Sequence, residues 1–251
     1  MEIVQVLLDF KADTNLRAKE GSTPLMAAAS AGHAKITRVL LENGAAANLQ
    51  GNHGLTALAS AARYNQMETL KILLEYGADV NLRGENGFGP LIWATYRQHV
   101  EIVNVLLQNN ADVNLPCCRG RTPLHHAIGH IAIARLLLNH GADVAVKNIY
   151  GDTALHHATS RLKRRGLVDI DIDIVHLLLD HGAPIDERNE KGQTPFFEAC
   201  YGDHLPMAKL LVERGCDWRT ADNGRSPLEE LLARYHPPSE IVSFLRSLEH
   251  A

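Results

Sequence analysis

The segment GSTPLMAAASAGHAKITRVLLENGA, residues 21–45, outlines two short helices joined by a turn. Thr23 before Pro24 is an N-cap followed by proline at the first helical position, where a missing N–H costs nothing. The small residues Ala27, Ala28 and Ala29 let a first helix pack closely. Ile36, Val39, Leu40 and Leu41 then recur at helical spacing and define the buried face of a second helix. Gly44 ends that helix, as a left-handed C-cap requires. The same outline restarts at Gly54, Gly87, Gly120, Gly151, Gly192 and Gly224. The first three steps are 33 residues each and the later ones 31, 41 and 32. Thr122 and Thr194 again precede proline, and Gly77, Gly141, Gly182 and Gly215 again close second helices. A unit this small cannot bury its own apolar face, so such a chain is stabilised by stacking each copy on the next.

The shared motifs are Thr-Pro-Leu-His, Gly-His, Ile-Val-x-Leu-Leu-Leu and Gly-Ala-Asp-Val-Asn. On these the sequence resembles the ankyrin repeat family over essentially its whole length. The resemblance implies an all-α repeat solenoid of stacked helix-turn-helix units, with short β-hairpin fingers between successive copies. The chain reads as one repeat domain over 1–251. It opens with a partial N-terminal repeat (1–20), followed by repeats at 21–53, 54–86, 87–119, 120–150, 151–191 and 192–223, and a C-terminal capping repeat (224–251). EIVQVLLDF after Met1 matches a second helix whose first helix is missing, which is expected of a fragment or of a first repeat reduced to a cap. At the other end Pro237 and Pro238 break the chain before a last helix capped by Ser239.

Histidines are the most conspicuous candidates for chemistry. His126 and His130 are four apart, a spacing that on one helix can hold a metal. Gly129 intervenes, however, and places the two on different helices. His125 and His156 fall in the Thr-Pro-Leu-His slot, where the family resemblance implies a local hydrogen bond that steadies the turn. His33, His99, His130 and His204 open second helices. His-Glu-x-x-His, paired Cys-x-x-Cys, a Gly-rich phosphate loop and Gly-x-Ser-x-Gly are all missing from the sequence. The reading is therefore of a non-enzyme with no metal or cofactor.

Composition narrows the partners. The net charge of -4 gives no global reason to expect nucleic-acid binding. No apolar run is long enough to cross a bilayer. Cys117, Cys118, Cys200 and Cys216 are too few and too irregular for a disulfide framework, which favours a reducing compartment, cytoplasmic or nuclear. A monomer is expected.

Shared positions build the scaffold, so function belongs where the copies differ. The resemblance implies binding of partner proteins along a concave groove made by fingers and first helices. One groove slot follows each repeat's first glycine and reads Ser22, Leu55, Phe88, Arg121. Another ends the first helix, with Arg63 and Tyr64, then Tyr96 and Arg97. A third lies inside it: Ala27, Ser60, Trp93, His126, His157, Glu198. Tyr64, Phe88, Trp93, Tyr96 and Arg97 thus share one face of two neighbouring repeats and are of the types that dominate interface hot spots. The competing reading is that these rings merely pack on one another. Arg119, Arg121 and the fingertip Tyr150 extend the candidate surface. The fourth repeat lacks the residues that end a first helix, while the fifth gains eight residues around SRLKRRGLVDIDID. Arg161, Lys163, Arg164 and Arg165 there could meet an acidic partner, unless Asp169, Asp171 and Asp173 neutralise them.

Three functions compete. The leading one is a scaffold or adaptor that recognises a protein or peptide. An alternative is the recognition module of a larger protein. The second, implied by the resemblance, is that the chain is a substrate hydroxylated on the asparagine of its Asp-Val-Asn fingers, here Asn81 and Asn114, each with a leucine (Leu73, Leu106) eight residues upstream. On the competing view these asparagines only stabilise a turn. The third, a metal protein built from the histidine pairs, would require bound zinc.

Overall fold

The structure, a computed structural model, describes residues 1–160, 168–219, 226–233 and 239–249. They are helical throughout, apart from turns and extended connections. The fold is the expected all-α repeat solenoid. The described residues fall into two compact units. One comprises Met1–Ala127 with Asn139–Gly141, the other Ile128–Leu138 with Ala142–Ala251.

In the first unit α1 (Glu2–Asp9) precedes three helix pairs. These are α2 (Pro24–Ala31) with α3 (Ala34–Glu42), α4 (Ala57–Arg63) with α5 (Met67–Glu75), and α6 (Pro90–Tyr96) with α7 (Val100–Gln108). The four-residue α8 (Pro123–His126) follows. First helices stack on one another, α2 on α4, α4 on α6 and α6 on α8. Alanines make this possible: Ala29, Ala61, Ala62 and Ala94 are fully buried, so adjacent backbones approach closely. Second helices bring the larger side chains. Leu70, Leu73, Ile102, Val103 and Leu106 are completely inaccessible, and burying a side chain of this size contributes about 1.5–3 kcal/mol.

In the second unit α9 (Ile131–Asn139) precedes the pairs α10 (Ala154–Ser160) with α11 (Val168–Asp180), α12 (Pro195–Tyr201) with α13 (Leu205–Glu213), and α14 (Pro227–Leu232) with α15 (Ser239–Glu249). Here α10, α12 and α14 stack in the same way. Pro237 and Pro238 lie outside the described residues, as does the side chain of Ser239.

Local chemistry sets the helix limits. The hydroxyls of Thr23, Thr56 and Thr194 each accept a backbone N–H from the first turn, and Ser226 forms a reciprocal capping box with Glu229. The turn between the two helices of a repeat needs one left-handed residue. Gly32 and Gly129 supply it without strain, whereas Asn65, Gln98 and Asp203 hold φ of 60°, 63° and 62° despite their side chains.

The fingers differ from expectation. No strand forms among the described residues, so the β-hairpins implied by the resemblance are replaced by tight turns. Each turn is closed by a pair of backbone bonds: a wider one, Gly51 N–H to Leu55 O, Gly84 N–H to Phe88 O and Cys117 N–H to Arg121 O, and a tighter one inside it, Gly54 N–H to Gly51 O, Gly87 N–H to Gly84 O and Gly120 N–H to Cys117 O. One further bond joins each finger to the next, from Glu85 N–H to His53 O and from Cys118 N–H to Asn86 O. With so few paired groups per finger there is no ladder for a strand. The glycine at the turn is obligatory at Gly87, which has φ +71° and where a Cβ would stand 2.5 Å from the Cys118 nitrogen.

Side chains reinforce the finger stack at intervals of one repeat. Arg17 donates to the Gln50 carbonyl, Gln50 to the Arg83 carbonyl and Arg83 to the Pro116 carbonyl, at 2.6, 2.8 and 2.7 Å. A second series runs beside it. Asn48 Oδ1 accepts the Asp79 N–H and Asn81 Oδ1 the Asp112 N–H, both at 2.8 Å.

Candidate protein-binding surface

On the first unit, α6 and the third finger bring together three of the rings singled out in the sequence. Phe88 lies edge-on to Trp93, with centroids 5.0 Å apart, and to Tyr96 at 6.3 Å. His126, at the end of α8, completes the set at 5.3 Å from Phe88 and 6.1 Å from Tyr96. The cluster is only partly covered: Trp93 and Phe88 are half-buried and Tyr96 is 56% exposed.

Tyr64 joins this cluster through a residue that the sequence reading left among the variable positions. The Arg63 guanidinium carbon sits 4.5 Å from the Trp93 centroid and 5.2 Å from that of Tyr64, a cation–π arrangement on both rings. His99 fixes the end of α4 beneath it, its Nε2 lying 3.2 Å from the Arg63 carbonyl oxygen. A carbonyl only accepts, so that nitrogen carries the proton. The signal for Arg63 was present in its slot, which it shares with Tyr96. What the sequence could not show was the guanidinium lying between two rings from successive repeats.

Between the second and third fingers lies a cleft of about 180 Å³, lined by Leu55, Arg63, Phe88 and Trp93. Arg97 caps α6 and is exposed, and Arg119 is exposed at the tip of the next finger, Cys117–Arg121. Arg121 is half-buried with its Nε sealed from solvent and without a hydrogen-bond partner. Tyr150 is 48% exposed in a finger of the other unit and is not part of the aromatic cluster. Arg161, Lys163, Arg164 and Arg165 lie outside the described residues.

The corresponding slots of the second unit carry polar groups. Asn189 donates to Asp152 at 2.9 Å, and Asn148 Nδ2 lies 3.1 Å from His157 Nε2. Burial, assisted by the Asp152 charge, raises the Glu198 carboxyl above its ordinary range.

The histidines are structural in their geometry. His125 Nδ1 lies 2.9 Å from the Thr122 hydroxyl and accepts the Thr122 N–H; His156 does the same with Thr153. His126 ends α8, whereas α9 begins at Ile131, so the four-residue spacing to His130 is not that of one helix. No group of three or more potential metal ligands occurs among the described residues. Asn81 and Asn114 each direct an amide to a backbone carbonyl near the end of the next second helix, Asn110 at 3.4 Å and Gly141 at 3.2 Å.

Sequence profiles described as ankyrin repeats (three copies) match residues 1–84 and 81–148, and profiles described as ankyrin repeats (many copies) match 129–169 and 169–212. The chain belongs to the ankyrin repeat family. Among solved structures, it is similar to the ankyrin repeat domain of Bcl-3, a protein described as a unique member of the IkappaB family. The two are 26% identical with a TM-score of 0.72, covering 84% of this chain and 91% of that one. No curated protein matches the chain. No helix among the described residues is long and apolar enough to cross a membrane.

Proposed function

We propose that this chain is a non-enzymatic adaptor or scaffold that binds a protein or peptide through the fingers and first helices of its first unit. One observation carries the reading: Phe88, Trp93 and Tyr96 cluster, and Arg63 links Trp93 to Tyr64, on a surface that stays partly open to solvent. Rings that served packing alone would be covered. Aromatic and arginine side chains of this kind are the usual anchors of protein interfaces. The four cysteines, all free, fit a reducing compartment, and we place the protein in the cytoplasm or nucleus as a monomer.

The test is affinity capture from a native lysate, comparing the wild-type chain with the combined variant Tyr64→Ala, Trp93→Ala, Tyr96→Ala after circular dichroism has established equal folding. A partner retained by the wild type and lost by the variant supports the reading. An unchanged set of partners removes the aromatic surface from consideration.

A further inference from the structure

The partner's chemistry can be narrowed from the charges around the cleft, resting on the binding reading above. Among the described residues Arg63 forms no ion pair or side-chain hydrogen bond, its charge being met by the faces of Trp93 and Tyr64. Of its three guanidinium nitrogens only Nε is sealed from solvent, and that atom has no acceptor. The terminal nitrogens therefore remain open to an incoming group. A guanidinium that contacts two rings has already lost much of its rotamer freedom, which lowers the cost of fixing it on a carboxylate.

The groove slots around it are biased in the same direction. Between Gly21 and Ala127 these slots and fingertips carry four arginines, Arg63, Arg97, Arg119 and Arg121, against one acid, Glu85. Glu85 itself faces His53 at 3.4 Å. None of the four arginines enters an ion pair among the described residues. A chain of net charge -4 thus presents a locally cationic face. The adjoining cleft is small. Pockets for drug-sized ligands run to about 300–1,000 Å³, whereas this one, at about 180 Å³ between Leu55, Phe88 and Trp93, has room for a single side chain.

We propose that this site binds an acidic peptide segment. An aspartate or glutamate of the partner pairs with Arg63, and a neighbouring aromatic or leucine side chain enters the cleft between Leu55, Phe88 and Trp93.

Random dodecapeptides displayed on phage and panned against the full chain provide the probe. The expected consensus places Asp or Glu within two positions of an aromatic residue or leucine, and the selected peptide then binds more weakly as salt is raised. In fluorescence anisotropy, replacing its acid by Asn or Gln should weaken binding about tenfold or more. Arg63→Gln should cost the same, with no further loss when both changes are combined. Arg135→Gln, on an exposed second-helix position, should change binding less than twofold or so. The peptide substitution reads out on the wild-type protein, so the result stands even if Arg63→Gln fails to fold. A consensus without an acid, no enriched peptide, or indifference to the acid overturns the proposal. If the lysate partner depends on Tyr64, Trp93 and Tyr96 while Arg63→Gln retains it fully, the binding surface stands and its acidic specificity falls.

Discussion

The Nε2 of His156 stands 3.0 Å from the carbonyl oxygen of Gln193, one repeat further along the chain. Its Nδ1 accepts the Thr153 N–H, so Nε2 carries the proton and donates. One buried imidazole therefore closes its own turn and ties it to the next. Replacing it strands a buried donor and a buried acceptor. His156→Ala is expected to cost about 2–4 kcal/mol, read as a lower urea midpoint with an unchanged slope. A loss below about 0.5 kcal/mol would show that the bond to Gln193 matters little.

The same residue gives stability a pH dependence. Burial, the largest cause, lowers the pKa of His156 below 6.5, against the opposing hydrogen bond that its Nε2 donates to the Gln193 carbonyl; burial likewise lowers His204. Below 6.5 the unfolded chain then binds more protons than the folded one. Stability is full above that value and falls as pH drops through the window beneath it. Glu198 has the opposite sense. Its raised carboxyl makes the folded chain hold a proton above 4.5, so its ionisation destabilises the fold as pH rises through the raised value. Denaturation from pH 7.5 down to 5.5 should show declining stability, with a shallower decline in His156→Gln. At neutral pH Glu198→Gln should be more stable than wild type.

Gln98 holds a left-handed conformation at φ 63° where the equivalent turns use Gly32 and Gly129. Its side chain is exposed, so little packing would be lost on removing it. Gln98→Gly should therefore stabilise the protein by about 0.5–1 kcal/mol, the relief of strain outweighing the added freedom of the unfolded chain. Thermal melting would detect this, and a lower melting temperature would contradict it.

Asn81 and Asn114 distinguish a stabilising role from a substrate role. Asn81 accepts the Asp112 N–H at 2.8 Å and is itself oriented by Asp79. Asn81→Ala should cost about 1 kcal/mol. Mass spectrometry of protein from its native cell tests hydroxylation directly. An added oxygen on the Asn81 or Asn114 peptide would establish it, and unmodified peptides at full coverage would exclude it in that cell.

The thiols should separate by burial. Cys118 is exposed and Cys117 buried. Burial pushes the Cys216 thiol up to about 12 and Cys200 higher still. A thiolate-specific reagent should titrate one cysteine rapidly in the native protein and the others only on unfolding. Two fast thiols would mean that the finger at Cys117–Arg121 opens.

The repeat architecture was legible because its determinants are local and recur: Thr23-Pro24 caps a helix in the same way as Thr194-Pro195, and the left-handed glycines Gly44, Gly77, Gly141, Gly182 and Gly215 end second helices as expected. The grouping of Phe88, Trp93 and Tyr96 followed from register alone. Arg63 did not, because its place between Tyr64 and Trp93 depends on the rotamer of a long side chain reaching into the next repeat. The hairpins were implied by the family resemblance, whereas the turn residues themselves do not distinguish a ladder from the pair of closing bonds found here. The series Arg17, Gln50, Arg83 was also missed, since its members differ chemically and share only the ability to donate.

The close approach at Gly87 has an evolutionary consequence. With the Cys118 nitrogen 2.5 Å from where a Cβ would be, successive fingers meet backbone to backbone, and the pitch between them does not depend on what the neighbouring side chains are. His53, Asn86 and Arg119 can mutate without shifting the rail that carries them. A lineage can therefore exchange one target for another by point substitution at these tips while inheriting the spacing unchanged.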